Sequence, residues 1–146
     1  MKAAFKGEYS HSIDPKGRLI IPAKFRELLG EQFVVTRGFD GCLFVFEGED
    51  WERFEEKLRA LPMDRPEART LERFFLAGAV EVEVDKQGRI PLPPSLIKHA
   101  KIEKEAVIAG VGNRIEIWSQ PEWENASTFD DINGIAAKMY EYGLSI

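Results

Sequence analysis

The sequence contains few of the residues on which disulfide-bonded, metal-binding and membrane-spanning proteins depend. Its 146 residues include one cysteine, Cys42, which cannot form an internal disulfide, so we expect a cytoplasmic protein. The longest apolar runs, such as residues 43–46, are far too short to span a membrane. His11 and His99 stand alone, and no metal-ligand spacing or phosphate-loop glycine pattern occurs. We therefore predict no enzyme activity, metal, cofactor, membrane association or small-molecule substrate.

The charge is unevenly distributed along the chain. The formal net charge is -5, and the acidic excess lies in residues 47–75 and 119–146. Residues 1–46 carry seven Lys or Arg against five Asp or Glu. Because affinity for a polyanion depends on the local patch and not on the total, the acidic sum argues only weakly against nucleic-acid binding.

One motif occurs twice. Residues 14–22 (DPKGRLIIP) return as residues 85–93 (DKQGRIPLP), with Asp, Gly, Arg and Pro repeated at an offset of 71. The similarity continues at an offset of 72, for example from Trp51 to Trp123. Such a period indicates two copies of one supersecondary unit. Neither copy is large enough to bury a good core alone, so we expect the two to fold together.

Each copy has the pattern of strand, turn, strand, helix and hairpin, and the segment between the copies has the three- and four-residue apolar spacing of helices. We divide the chain into a first repeat over 5–52, connecting helices over 53–76, a second repeat over 77–124 and a helical tail over 125–146. The predicted class is α+β with a β-rich core. Pairing or exchange of strands between the copies would close this core into one barrel, which removes sheet edges.

The repeated Asp-x-x-Gly-Arg turn has a structural and a functional interpretation. Asp and Gly at these positions are typical of turns, since Asp accepts hydrogen bonds from the backbone ahead and Gly supplies a positive φ. Arg18 and Arg89 either pair with nearby carboxylates or use their guanidinium groups to contact phosphate or guanine. Further cations accompany the turns and the helix after the first one: Lys16, Lys24, Arg26 and Lys86.

The motifs resemble those of the MraZ family of bacterial transcriptional regulators. The resemblance rests on residues 5–9 (FKGEY), 14–18 (DPKGR), 22–26 (PAKFR), 85–89 (DKQGR) and 114–118 (RIEIW), and it extends over nearly the whole chain. It implies a double-split β-barrel made of two tandem SpoVT-AbrB-like repeats in one chain, with flanking helices.

The resemblance also implies a function. Members of the family form rings and bind double-stranded DNA at repeated short boxes upstream of the division and cell-wall gene cluster, which implies association with the nucleoid. Lys16 and Arg18 are then the principal candidates for DNA contact, and Lys86 and Arg89 are secondary ones. The full candidate set is Lys16, Arg18, Lys24, Arg26, Lys86 and Arg89. One short basic turn offers few phosphate contacts, so a ring would gain affinity by engaging several boxes at once.

Two alternatives remain open. The chain could be a structural or interaction protein whose oligomer is its function, with aromatic side chains supplying interfaces instead of core. The residues concerned are Trp51, Phe54, Phe74, Phe75 and Trp123. It could also be an antitoxin-like regulator without targets in the division cluster, with the acidic segment 119–146 binding a toxin. Replacement of Arg18 by alanine separates DNA binding from a purely structural role.

Overall fold

Eight strands and six helices are distributed along residues 4–145, the part of the chain that the computed structural model describes. Ile146, the last residue of the predicted tail, lies outside the described residues. The strands are β1 (Phe5–Ser12), β2 (Arg18–Ile20), β3 (Gln32–Arg37), β4 (Leu43–Glu47), β5 (Val80–Glu83), β6 (Arg89–Pro91), β7 (Glu105–Gly112) and β8 (Ile115–Ser119). The helices are α1 (Ala23–Leu29), α2 (Gly48–Arg59), α3 (Pro66–Leu76), α4 (Pro94–Ala100), α5 (Gln120–Ala126) and α6 (Ile132–Lys138). The predicted order of elements occurs in both repeats, and the α+β class is confirmed.

The order of the strands is unchanged when the two repeats are exchanged. The large sheet is antiparallel, with the order β1-β7-β8-β4-β3-β5, while β2 and β6 pair with each other in a separate ribbon. Each strand has a counterpart in the other repeat: β1 corresponds to β5, β7 to β3 and β8 to β4. When each strand is replaced by its counterpart, the order is the same as before, read from the opposite edge of the sheet. The two repeats are therefore related by an approximate twofold axis, as two subunits of a dimer would be.

Strand exchange between the repeats agrees with the sequence-based expectation, but closure of the large sheet does not occur. β1 pairs with β7 of the other repeat, and β5 pairs with β3. However, β1 and β5 form the two edges of the six-stranded sheet and do not pair with each other. The turns that begin at Asp14 and Asp85 lead the chain out of this sheet, so β2 and β6 form their own ribbon instead of extending it.

The core consists of two clusters on opposite faces of the large sheet. Leu43, Val45 and Ile115 belong to the first cluster, which also includes the inner residues of the ribbon and of α1 and α4. The neighbouring residues Phe44 and Phe46 belong to the second cluster, together with residues of α2 and α3. Because successive side chains of a strand point to opposite faces, this arrangement buries every side chain of the run 43–46.

The aromatic residues considered above belong to the second cluster. Phe75 is fully buried, whereas Trp51, Phe54, Phe74 and Trp123 are partly buried and pack against the cluster. Their rings contact one another; the Phe54 and Phe75 centroids, for example, lie 4.9 Å apart in an edge-to-face arrangement. In this fold the aromatic residues act as core.

The tail contains less helix than its periodicity predicts. The sequence predicts one amphipathic helix from Thr128 to Tyr142, whereas α6 covers only residues 132–138 and a short 3-10 turn follows. Phe129 has a φ of 56° and Asp131 a non-helical φ of -108°, so the chain turns before the helix can begin. The apolar side chains of this segment are exposed, including Phe129, Ile132, Ile135, Met139 and Tyr142.

Candidate nucleic-acid interface

The first turn is organised by the carboxylate of Asp14. Its Oδ1 accepts hydrogen bonds from the backbone N–H groups of Lys16 (3.0 Å) and Arg18 (2.8 Å), and its Oδ2 accepts one from Nε of Arg18 (2.7 Å). Gly17 has a φ of 78°, which permits the reversal. The backbone N–H of Arg18 is the main cause that holds the pKa of Asp14 below its usual value. The turn is therefore a rigid base for the strand that follows.

The second turn repeats this arrangement. Asp85 accepts hydrogen bonds of 2.9 Å from the backbone N–H of Gln87, the backbone N–H of Arg89 and the Nε of Arg89. Gly88 has a φ of 80°. The predicted structural role of the Asp and Gly residues is thus confirmed in both copies. The arginines do pair with carboxylates, through their Nε atoms.

The ribbon places both arginines on its outer face. Leu19 pairs with Ile90 at its centre, and both side chains are fully buried. Arg18 and Arg89 lie one residue before this central pair in their strands, so the alternation of side chains directs them away from the core. The side chain of Arg18 is 34% exposed and that of Arg89 is 23% exposed. Two cations, each fixed by a turn, therefore lie on one short, outward-facing ribbon.

The two arginines differ in the hydrogen-bond donors that remain free. Nη2 of Arg89 donates to Oε1 of Gln87 at 2.6 Å, and its Nη1 lies 3.7 Å from Oδ2 of Asp14. Arg18 is ion-paired with Asp14 through Nε, but within residues 4–145 its terminal nitrogens donate no hydrogen bond. Arg18 therefore keeps two donor groups for an external ligand, whereas those of Arg89 contact the protein.

Lys16 and Lys86 are exposed at the two turns, and α1, which follows the first turn in sequence, contacts the second turn. The backbone N–H of Ile21 donates to the carbonyl of Gly88 just before this helix begins. A methyl group on Gly88 would overlap the guanidinium group of Arg26. The structure thus packs Arg26 against the second turn.

The basic residues of α1 also differ from each other. Lys24 is exposed, whereas Arg26 is half-buried and its Nε is a buried donor without a partner within residues 4–145. Packing against the second turn accounts for the position of Arg26. Its availability to DNA is correspondingly smaller than that of Lys24.

The motif at 114–118 has a structural role. Oε2 of Glu116 accepts a 2.9 Å hydrogen bond from Nη2 of Arg114, and its Oε1 accepts one of 3.0 Å from Nε1 of Trp118. The guanidinium carbon of Arg114 lies 4.6 Å from the centre of the Phe44 ring. These contacts fix the junction between β4 and β8, where the two repeats meet.

His99 and Cys42 are residue types that often take part in catalysis, but here they pack within the protein. Nε2 of His99 lies 3.2 Å from the carbonyl oxygen of Gly38. Cys42 is fully buried, and this burial raises the pKa of its thiol.

Residues 4–145 contain no group of three or more potential metal ligands. In the same range, no helix combines the length and apolar character needed to cross a membrane. The expectation that the protein uses no metal or cofactor remains a prediction.

Comparison with known proteins gives a match to each repeat. The family model described as "MraZ protein, putative antitoxin-like" matches residues 4–74 and again residues 75–137. The chain belongs to the MraZ family. These two regions reproduce the internal repeat, while the finer boundaries given above remain predictions.

Several relatives named "Transcriptional regulator MraZ" are similar in sequence to this chain over most of its length. The protein from Heliobacterium modesticaldum is 54% identical over 142 residues, covering 96% of this chain and 99% of the relative. The one from Lachnoclostridium phytofermentans is 55% identical over 141 residues, covering 97% and 99%. The one from Caldanaerobacter subterraneus is 58% identical over 127 residues, covering 87% and 89%.

Proposed function

We propose that this chain is a sequence-specific, DNA-binding transcriptional regulator of the division and cell-wall gene cluster, associated with the nucleoid and without enzyme activity. The observation that carries the proposal is the outward-facing ribbon, on which Arg18 is fixed by Asp14 and retains two free donor groups. An arginine held in this way can bind the O6 and N7 atoms of a guanine. The name of the relatives, transcriptional regulator, supports the same function.

The first turn is the principal contact with DNA in this proposal. Arg18 contacts base edges and Lys16 contacts a backbone phosphate, because a lysine acts as a compact charge with little geometric demand. Arg89 has a secondary role, since its donors are bound within the protein. Lys86 and Lys24 add phosphate contacts, and Arg26 mainly stabilises the second turn.

The proposed active form is a ring of identical chains bound to repeated boxes, and each chain has the double-split barrel arrangement. The exchange of β1 and β5 between the repeats supports this arrangement. The unpaired backbone of these edge strands and the exposed apolar side chains of the tail offer surface for association. A ring would compensate for the few phosphate contacts of each chain through effective concentration.

A gel-shift assay with the promoter DNA of the division cluster tests the proposal. Wild type should bind this DNA in preference to random sequence at moderate salt. Arg18→Ala should lose about 1–3 kcal/mol of discrimination, or roughly 5- to 150-fold, because it removes a base contact. Arg89→Ala is the matched control in the second turn and should lose less.

Light scattering after size-exclusion chromatography supplies the structural control. Arg18→Ala should form the same oligomer as wild type, since Arg18 lies on the ribbon and not in the tail. If wild type does not distinguish the promoter DNA from random DNA, the regulator proposal fails. A single-chain species at the concentrations used for DNA binding would contradict the ring.

A second candidate function is that of an interaction protein or antitoxin-like regulator. The exposed apolar residues of the tail favour it, since contiguous apolar surface often marks a site of protein association. This candidate predicts that Arg18→Ala retains cellular activity and that removal of residues 128–146 abolishes it. The DNA-binding proposal predicts loss of activity with Arg18→Ala.

A further inference from the structure

We infer that Lys98 and Lys101, at the end of α4, bind DNA backbone phosphates beside the first turn. The DNA interface is then a composite of the turn of the first repeat and the helix of the second repeat. This inference rests on the proposed DNA-binding function and adds residues to its site.

The packing of α4 brings these lysines to the first turn. The backbone N–H of Leu92 donates to the carbonyl oxygen of Gly17 at 2.8 Å. The side chain of Ile97 lies so close to Gly17 that a methyl group there would be 3.3 Å from its Cδ1 atom. Lys98 follows Ile97 directly, and Lys101 follows the end of the helix in the left-handed conformation, with a φ of 56°.

Residues of the turn and of α4 together line an open cleft of about 590 Å³. Lys16 contributes to it from the turn, and Lys98 and Lys101 contribute from α4 and the residue after it. Leu92 and Ile102 are among the apolar residues of the cleft. All three lysines are exposed, so their ammonium groups are accessible to a ligand as large as a duplex.

The acidic residues nearby do not neutralise this cluster. Glu103 lines the same cleft, so three lysines face one carboxylate. The Nζ of Lys101 lies 3.9 Å from Oε1 of Glu122, and the two side chains are 73% and 38% exposed. An ion pair with this exposure contributes little, so the lysine is available to a phosphate.

The equivalent surface beside the second turn has a smaller cationic excess. At an offset of 71, Lys98 corresponds to Glu27 and Lys101 to Gly30, and at an offset of 72 Glu103 corresponds to Glu31. The corresponding positions of Lys16 and Pro15 are occupied by Gln87 and Lys86. On α1, the exposed Lys24 and the half-buried Arg26 supply the other cations there. The two turns are nearly identical in backbone hydrogen bonding, but the first combines three exposed lysines with one glutamate, whereas the second combines Lys24, Arg26 and Lys86 with two glutamates.

Duplex DNA is the ligand that fits this distribution of charge. Its phosphates lie in a continuous row, and Lys16, Lys98 and Lys101 line a cleft at the turn that leads directly into Arg18. Lysines that neutralise phosphates release counterions, so each contact contributes to the salt dependence of binding. Base contacts by Arg18 and phosphate contacts by the lysines therefore have different experimental signatures.

The test is the salt dependence of binding of full-length protein to labelled promoter DNA, measured by fluorescence anisotropy between 50 and 200 mM salt. The variants are Lys98→Gln, Lys101→Gln and the double substitution. Each substitution should reduce the slope of log K against log salt by about 0.9 for every engaged chain. Affinity for promoter and random DNA should fall by the same factor, since phosphate contacts do not distinguish sequences.

Lys57→Gln is the matched control, because Lys57 is an exposed lysine on α2, away from both turns. It should retain the slope of wild type. Glu27→Lys provides a test in the opposite direction. It should leave the slope unchanged if DNA binds the first turn alone and should raise it if DNA also reaches the second turn.

A wild-type slope in the double variant would overturn the inference while leaving the regulator proposal intact. The same conclusion would follow if inorganic phosphate, at matched ionic strength, protected the lysines from acetylation and promoter DNA did not. Failure of wild type to bind promoter DNA at all would reject both. Circular dichroism of each variant would show whether the fold is retained.

Discussion

Removal of the two side chains at the centre of the ribbon should destabilise the whole molecule. Leu19 and Ile90 pair across the approximate twofold axis, and both are fully buried in the first core cluster. Leu19 belongs to the first repeat and Ile90 to the second. If the two repeats share one core, truncation of either side chain to alanine destabilises both repeats.

The expected magnitude follows from this complete burial. Truncation of a fully buried Leu or Ile to Ala costs about 2–5 kcal/mol, which combines lost transfer free energy with an unfilled cavity. For a chain of this length, such a loss lowers Tm by roughly 4–20 °C, since 1 kcal/mol corresponds to about 2–4 °C. Ile20→Ala is the control from the same strand. Ile20 is 38% exposed, so its truncation should cost about 1 kcal/mol or less.

The assay is urea unfolding followed by two signals at one fixed protein concentration, because association would shift the apparent stability. Tryptophan fluorescence reports on the second core cluster, where Trp118 is buried and Trp51 and Trp123 are partly buried. Far-ultraviolet circular dichroism reports on the helices and strands of both repeats. The two transitions should coincide in wild type and in both variants.

Two results would refute this reasoning. If Leu19→Ala and Ile90→Ala cost no more than Ile20→Ala, the ribbon does not close the core. If fluorescence and circular dichroism separate into two transitions, the repeats unfold as independent units and the exchanged strands do not couple them.

Three further predictions concern the carboxylate of the first turn, two glycines with positive φ and the buried thiol. The backbone N–H of Arg18 lowers the pKa of Asp14 in the folded protein. The ionised carboxylate therefore stabilises the fold above the pKa of an unfolded Asp, about 3.9. This stabilisation is lost as the pH falls through the lower pKa of the folded state. The stability difference between wild type and Asp14→Asn should therefore shrink below about pH 4, and a difference that grows with acid would contradict it. Gly30→Ala, at a φ of 80° in open space, should cost about 1–2 kcal/mol in urea unfolding, and Gly17→Ala should cost more, because its methyl group would also meet neighbouring atoms. The thiol of Cys42 should react with a disulfide reagent only in denaturant, since burial removes access and raises its pKa; rapid labelling of the native protein would refute this.

Much of the local structure could be predicted from residue chemistry. Pro22 and Gly30 predict a helix over residues 23–29, and α1 covers these residues. The two turns have the hydrogen bonds expected for Asp and the positive φ expected for Gly. These features depend on neighbours within a few positions, so a pattern in the sequence is sufficient. The tail was predicted less well, because its apolar periodicity continues through a reversal at Phe129 that periodicity does not detect.

The sequence by itself determined that there are two equivalent units and that each has an Asp-x-x-Gly-Arg turn, and it predicts that neither unit buries a good core alone. These conclusions follow from repetition, turn chemistry and length. Only the tertiary structure decided how the units are combined. The approximate twofold axis places α1 against the second turn and α4 against the first, so residues 62 or more positions apart meet. Arg26 consequently packs against the turn of the other repeat, and Lys98 and Lys101 line one cleft with Lys16. The physical reason is that each unit completes the core of the other, and a core formed by strand exchange places α1 and α4 each against the turn of the other repeat.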